Sequence, residues 1–206
     1  MRGIALLKTL LLVLAGLATL AAAGARGDEI EVRDARLGAR EEGLVLEADF
    51  AFDFNPRLAE AVANGIPLYF VVEFELSRAR WWWFDEKTVA KRLQLRLSYH
   101  ALSRHYRLST GLLHRNYGTL QEALNVLRRL RNWVVLEPGA QLPEASYDAA
   151  VRMRLDVALL PKPFQLSALT SRELHLESPW KRFIYRAPPP PPAPVESREL
   201  READGR

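Results

Sequence analysis

Four histidines, two closely spaced glutamates and a run of three tryptophans are the residues whose types and spacing bear on chemistry. His100 and His105 form the tightest histidine pair, with His114 and His175 further along. Side chains alternate faces on a strand, so a spacing of five sends His100 and His105 to opposite sides. They meet at one ion only if the chain bends near Ser103. No cysteine occurs in the 206 residues, which excludes thiol catalysis and thiolate-bound metal. The HExxH, GxxxxGK and GxSxG signatures are also absent. The expectation is a chain with no catalytic residues, no metal site and no cofactor.

Glu73 and Glu75 are two apart and so share one face of a strand, an arrangement that acid–base chemistry can use. The strand expected beside them presents Arg92 and Arg96 to that face. A ladder of cross-strand ion pairs then accounts for all four residues. Arg128, Arg129 and Arg131 fall in the last turn of an expected helix, where cations complement the helix dipole.

The stretch "RARWWWFDE", Arg78 to Glu86, is the densest functional signal. Aromatic and arginine side chains are the anchors that dominate protein interfaces. Trp82 and Phe84 share parity with the apolar Phe74 and Leu76, which sends them to the core. Trp81 and Trp83 share parity with Glu73 and Glu75 and point the other way. Arg78 and Arg80 fall on the apolar parity, so the register must change near Ser77. Arg78, Arg80, Trp81 and Trp83 are therefore the candidate binding surface.

The elements that hold these residues are mostly strands. "EIEVRDARL" and "GLVLEADFAFDF" alternate apolar and polar and form a hairpin around "GAREEG". "NPRLAEAVANG" is a short helix, with Asn55 as N-cap, Pro56 at the first helical position and Asn64-Gly65 at the end. Ile66 to Phe84 is the longest strand. It pairs with Val89 to Leu102 around a turn at Asp85–Lys87, with Leu76 meeting Leu95 and Glu75 meeting Arg96. "RHYRLSTG" follows as a strand. "TLQEALNVLRRLRNW" is a helix with Thr119 and Glu122 at capping-box spacing and a stripe of Leu120, Leu124, Leu127 and Leu130. "WVVLEP", "YDAAVRMRLDVALL" and "SPWKRFIYR" supply further strands, the middle one ended by "PKP". Long alternating strands with one wet face imply antiparallel pairing. The predicted class is mainly β (α+β): an antiparallel β-sandwich or strongly curved sheet with two crossover helices, or a partly closed barrel.

Both ends of the chain differ from this middle. Residues 1–25 have a basic start (Arg2, Lys8), an apolar run from Leu10 to Leu20 and a small-residue exit at Ala21 to Ala25. That pattern predicts a cleavable signal peptide, with a retained anchor helix as the alternative, and no later stretch is apolar enough to span a membrane. The expected site is an extracytoplasmic space, the periplasm. Net charge is +4, and arginine outnumbers lysine 24 to 5. A mild surplus on an exported chain does not mark a nucleic-acid binder. Residues 187–206 hold six of the 13 prolines and a charged end, a composition that cannot build a core. The single folded domain is then residues 28–186.

"PLYFVVEFELSRARWWWFDE", "LSYHALSRHYRLSTG", "TLQEALNVLRRLRNW" and "MRLDVALLPKPFQLSAL", in this order, resemble a family of exported proteins from Gram-negative bacteria. That family is catalogued as domain of unknown function 4390. The resemblance covers most of the chain between the signal-like segment and the proline run. It implies a periplasmic setting and brings no catalytic residues. It also implies a partner among envelope proteins, since members are often encoded near a sensor histidine kinase. The leading expectation is a non-enzymatic interaction module that meets an envelope protein, such as a sensor kinase's external domain. The alternative is a binder of a lipid or other apolar ligand. An unfilled interior lined by Phe70, Phe74, Leu95 and Tyr99 would favour that alternative, and a filled one the interaction module.

Overall fold

The computed structural model describes residues 29–78, 86–140, 142–170 and 174–188. The signal-like segment and most of the proline-rich end therefore lie outside the described residues. Within them the chain forms β1 (Glu31–Arg40), β2 (Gly43–Ala51), α1 (Pro56–Ala63), β3 (Leu68–Arg78) and β4 (Glu86–His100). β5 (His105–Thr110), β6 (Leu113–Tyr117), α2 (Leu120–Leu127) and β7 (Arg129–Leu136) follow. β8 (Ser146–Leu155), α3 (Lys162–Thr170) and β9 (Lys181–Arg186) complete the fold.

These strands make two antiparallel sheets. One has three strands in the order β1-β2-β7, the other six in the order β6-β5-β4-β3-β8-β9. α1 carries the chain from the small sheet to the large one, and α2 carries it back, so both expected crossover helices are present. The six-stranded sheet is open rather than closed into a barrel. Leu46 and Phe50 of β2 share one core with Phe70, Phe74 and Met153 of the large sheet. Phe74 meets Trp133 of β7 edge-on at 6.4 Å between ring centres, which ties the two sheets together. No helix among the described residues is long and apolar enough to cross a membrane.

Local chemistry sets the boundaries. Asn55 caps α1 by accepting the Leu58 N–H at 2.9 Å, with Pro56 in the first turn. Thr119 caps α2 by accepting the Glu122 N–H, and the Glu122 carboxylate reaches back to the Gly118 N–H. The β1–β2 turn closes at Gly43, whose φ is +116°, and a Cβ there would collide with the Leu136 carbonyl.

Four expectations need correction. The turn of the long hairpin is not at Asp85–Lys87, because Glu86 and Lys87 are already paired, with Arg78 and Ser77. Leu76 meets Val89 rather than Leu95, and Glu75 meets Ala90 rather than Arg96. The slip is an even number of residues, so the facing chemistry survives it. The second helix stops at Leu127, and Arg129 and Arg131 belong to strand β7. They do not serve a helix dipole: Arg131 pairs with Asp49 at 2.5 Å, and Arg128 pairs with Asp53 at 2.7 Å. Helix-prone residues extend here because β2 offers a strand partner and β7 bulges at Asn132, where φ is +55°. Finally, "PKP" does not end the strand: β8 stops at Leu155, a 3-10 turn follows over Val157–Leu159, and Lys162 opens α3, where proline in a first turn is tolerated. Ala187, the first residue of the expected tail, is buried and donates its N–H to the Ala145 carbonyl.

Candidate interaction surface

The large sheet turns its apolar residues inward and leaves a polar outer face. On β3 that face runs Tyr69, Val71, Glu73, Glu75 and Ser77. β4 adds Arg92, Gln94 and Arg96 in register, and β8 adds Arg152 and Arg154. Glu73 sits at the centre and is only 4% exposed. Arg152 grips its Oε2 through Nε and Nη2, both at 2.6 Å. Arg92 approaches Oε1 from the other side at 3.2 Å, and Arg154 lies 3.6 Å from the same oxygen. Burial pushes the Glu73 pKa up, but the hydrogen bond and charge of Arg152, then Arg154 and Arg92, outweigh it. The carboxyl is held below its ordinary value, so it stays ionised and is a poor proton acceptor. The expected ion-pair ladder is thus real at Glu73 and Arg92, while Arg96 instead lies over the Tyr69 ring at 5.8 Å.

Arg152 is held on its far side by Trp180, whose ring centre is 4.6 Å from the guanidinium carbon. Trp180 occupies the break between the Arg154–Glu177 bridge and the start of β9. The alternation of "YDAAVRMRLDVALL" sets Arg152 and Arg154 on the face opposite Val151 and Met153, but only the β3–β8 pairing brings them to Glu73. The alternation of β8 was the available signal.

Of the candidate binding residues, the structure describes Arg78. It is exposed, at the end of β3 and opposite Glu86, the last pair of the hairpin. Arg80, Trp81 and Trp83 lie outside the described residues, as does Trp82. The expected change of register near Ser77 is present, between Leu76 and Ser77. Lys91 and Arg92 are exposed further along β4, opposite Phe74 and Glu73.

His100 and His105 are brought into direct register by the turn at residues 101–104, with Arg104 at φ +54°. The bend near Ser103 therefore does unite them, and His105 Nδ1 bonds to the Ser103 carbonyl. Among the described residues, however, no group of three or more His, Cys, Asp or Glu converges to hold a metal ion.

The residues named for the apolar-ligand alternative pack on one another and on the core. Phe70 stacks on Phe52 and Phe54 with centres at 5.8 and 6.0 Å, and Tyr99 packs on Tyr106 at 4.8 Å. Phe74 and Leu95 are buried against the same core. A groove of about 750 Å³ lies between Ile30–Arg33, Phe52 and Trp180, and its lining mixes charged and apolar residues. A smaller one of about 350 Å³ lies beside Leu136, Leu142 and Tyr185. Burial there raises the Tyr185 hydroxyl pKa.

The sequence profile of a family described as Domain of unknown function (DUF4390) matches residues 27–184. The chain belongs to this family. The match takes in β1 through most of β9, so it covers both sheets and the arginine cluster around Glu73. No curated protein and no solved structure matches the chain.

Proposed function

We propose that this DUF4390 protein is a non-enzymatic interaction module of the periplasm that uses the end of its β3–β4 hairpin to hold a partner protein of the cell envelope. The signal-like start of the chain supports the compartment. The observation that carries the reading is the hairpin's end itself: Arg78 is exposed there, in the last β3–β4 pair. The connection that follows Arg78 in sequence contains Arg80, Trp81 and Trp83. Tryptophan and arginine are the residue types that carry most binding energy at interfaces. The external domain of a membrane sensor is one partner of the right kind. The burial of Phe70 and Phe74 and the stacking of Phe70 on Phe52 support this reading over a lipid carrier. Photo-crosslinking from Trp81 and Trp83 in intact cells tests it, with a specific adduct expected from both positions. A crosslinker at those positions that yields no adduct removes the reading.

A further inference from the structure

β4 is 15 residues long, and its two edges are not equally occupied. One edge pairs with β3 along nearly its whole length, from Leu97 to Glu86. The other pairs with β5 only from Leu95 to His100. Residues 86–94 therefore have no strand on their second side among the described residues. Nine residues of antiparallel strand span about 30 Å. β3 by contrast is paired on both sides, to β4 and to β8, up to Ser77. An open edge of that length is a template for another strand, and folded proteins keep such edges short unless they use them.

Two further features say what the edge would accept. Lys87, Lys91 and Arg92 fall within it, against one acid, Glu86. Lys91 and Arg92 are exposed, and Lys91 stands opposite the buried Phe74, on the apolar face of the sheet. A second copy paired along the same edge would set this cationic stretch against itself, so self-association is disfavoured. A purely apolar strand would leave Lys91 unpaired on its inner side. The β5–β6 turn lies in line with the open edge, just past the Leu95–Thr110 pair. It holds up Leu112 and Leu113, which are 99% and 79% exposed.

We infer that the open edge of β4 over residues 86–94 is a strand-addition site for an extended, acidic segment of a partner protein, with Leu112 and Leu113 receiving an apolar residue at that segment's end. Main-chain hydrogen bonds supply the affinity in this mode, and alternate side chains supply the selectivity. Acidic residues of the incoming strand sit beside Lys91 and Arg92. This rests on the reading above for the partner being a protein, and it adds the mode and the chemistry of the contact.

The test uses the purified chain and a labelled peptide, nine residues long, with glutamate at its two central positions, one for each face, valine elsewhere and a leucine cap. Fluorescence anisotropy should show saturable binding, and hydrogen exchange should show new protection in residues 86–94. The same peptide with lysine in place of glutamate should bind on the order of tenfold or more weaker, about the 1.4 kcal/mol of one charge contact. A version methylated on alternate backbone nitrogens keeps its charge but cannot pair, and it too should lose binding. Lys91→Glu, which leaves the Arg92 contact to Glu73 in place, should shift the preference toward the lysine peptide, and the binding that remains shows that the variant still folds. Equal binding of the methylated peptide, equal binding of the lysine peptide, or protection outside residues 86–94 would overturn the proposal. Trp81→Ala and Trp83→Ala should leave peptide binding in place. A failure of the tryptophan crosslinks in cells is thereby separable from a failure of the edge.

Discussion

Replacing Glu73 with glutamine should destabilise the fold by about 3 kcal/mol at neutral pH. The substitution keeps the shape and one acceptor oxygen but leaves three arginines facing a neutral group. The two-point contact to Arg152 dominates; charge-assisted hydrogen bonds of that kind are worth roughly 1.5–3 kcal/mol. The Arg152 side chain is 30% exposed, so part of its charge is relieved by water. Arg92 is 76% exposed, and its contribution is in the range of a surface pair, about 0–1 kcal/mol. Arg154, at 3.6 Å and also shared with Asp156, adds a similar small amount. For a domain of this size, the loss corresponds to a fall in Tm of roughly 6–12 °C. The pH dependence has a definite sign. The Glu73 pKa is lowered in the folded state, so its stabilisation is present at neutral pH and fades as pH falls through the folded value. Urea melts of both proteins between pH 7 and pH 3 should therefore show a gap that narrows on acidification, starting near the ordinary glutamate pKa of about 4.3. A variant as stable as the parent at pH 7, or a gap that widens in acid, would refute the clamp.

Gly43→Ala should cost more than the ordinary glycine-to-alanine change in a strand, because both the φ of +116° and the Leu136 carbonyl oppose a Cβ; a loss above about 2 kcal/mol in a urea melt is expected. Thr119→Ala removes the cap of α2 and should lower stability by about 1 kcal/mol, read the same way. Phe70→Ala opens the packed centre of the sandwich and should cost about 3–5 kcal/mol; native mass spectrometry of the unaltered protein should show no co-purifying lipid.

Which parts of this fold were legible depends on the range of the interaction. The two faces of β3 and β4 could be read from their alternation, because burial of one face imposes a period of two. Their register could not, since it depends on where the connection begins. "DEK" looks like a turn by composition, yet Glu86 and Lys87 pair within the strand. α1 was readable from Asn55, Pro56 and Asn64-Gly65, which act locally. The end of α2 was not, because Arg128 to Arg131 contain no stop signal and β2 draws them into a sheet across a long stretch of sequence. The candidate site divides in the same way. Glu73 and Arg92 were joined from sequence, but Arg152, Arg154 and Trp180 reach them only through the β3–β8 pairing.

The central claim is that the hairpin's end holds an envelope protein. It is tested most directly by placing a photo-crosslinking amino acid at Trp83 in living cells, with Leu102, on the turn after β4, as an exposed control. One discrete protein adduct is expected from Trp83, none from Leu102, and the adduct should be lost when Arg78 and Arg80 are changed to alanine. The same adducts from both positions, or none from Trp83 in a folded and exported protein, would contradict it.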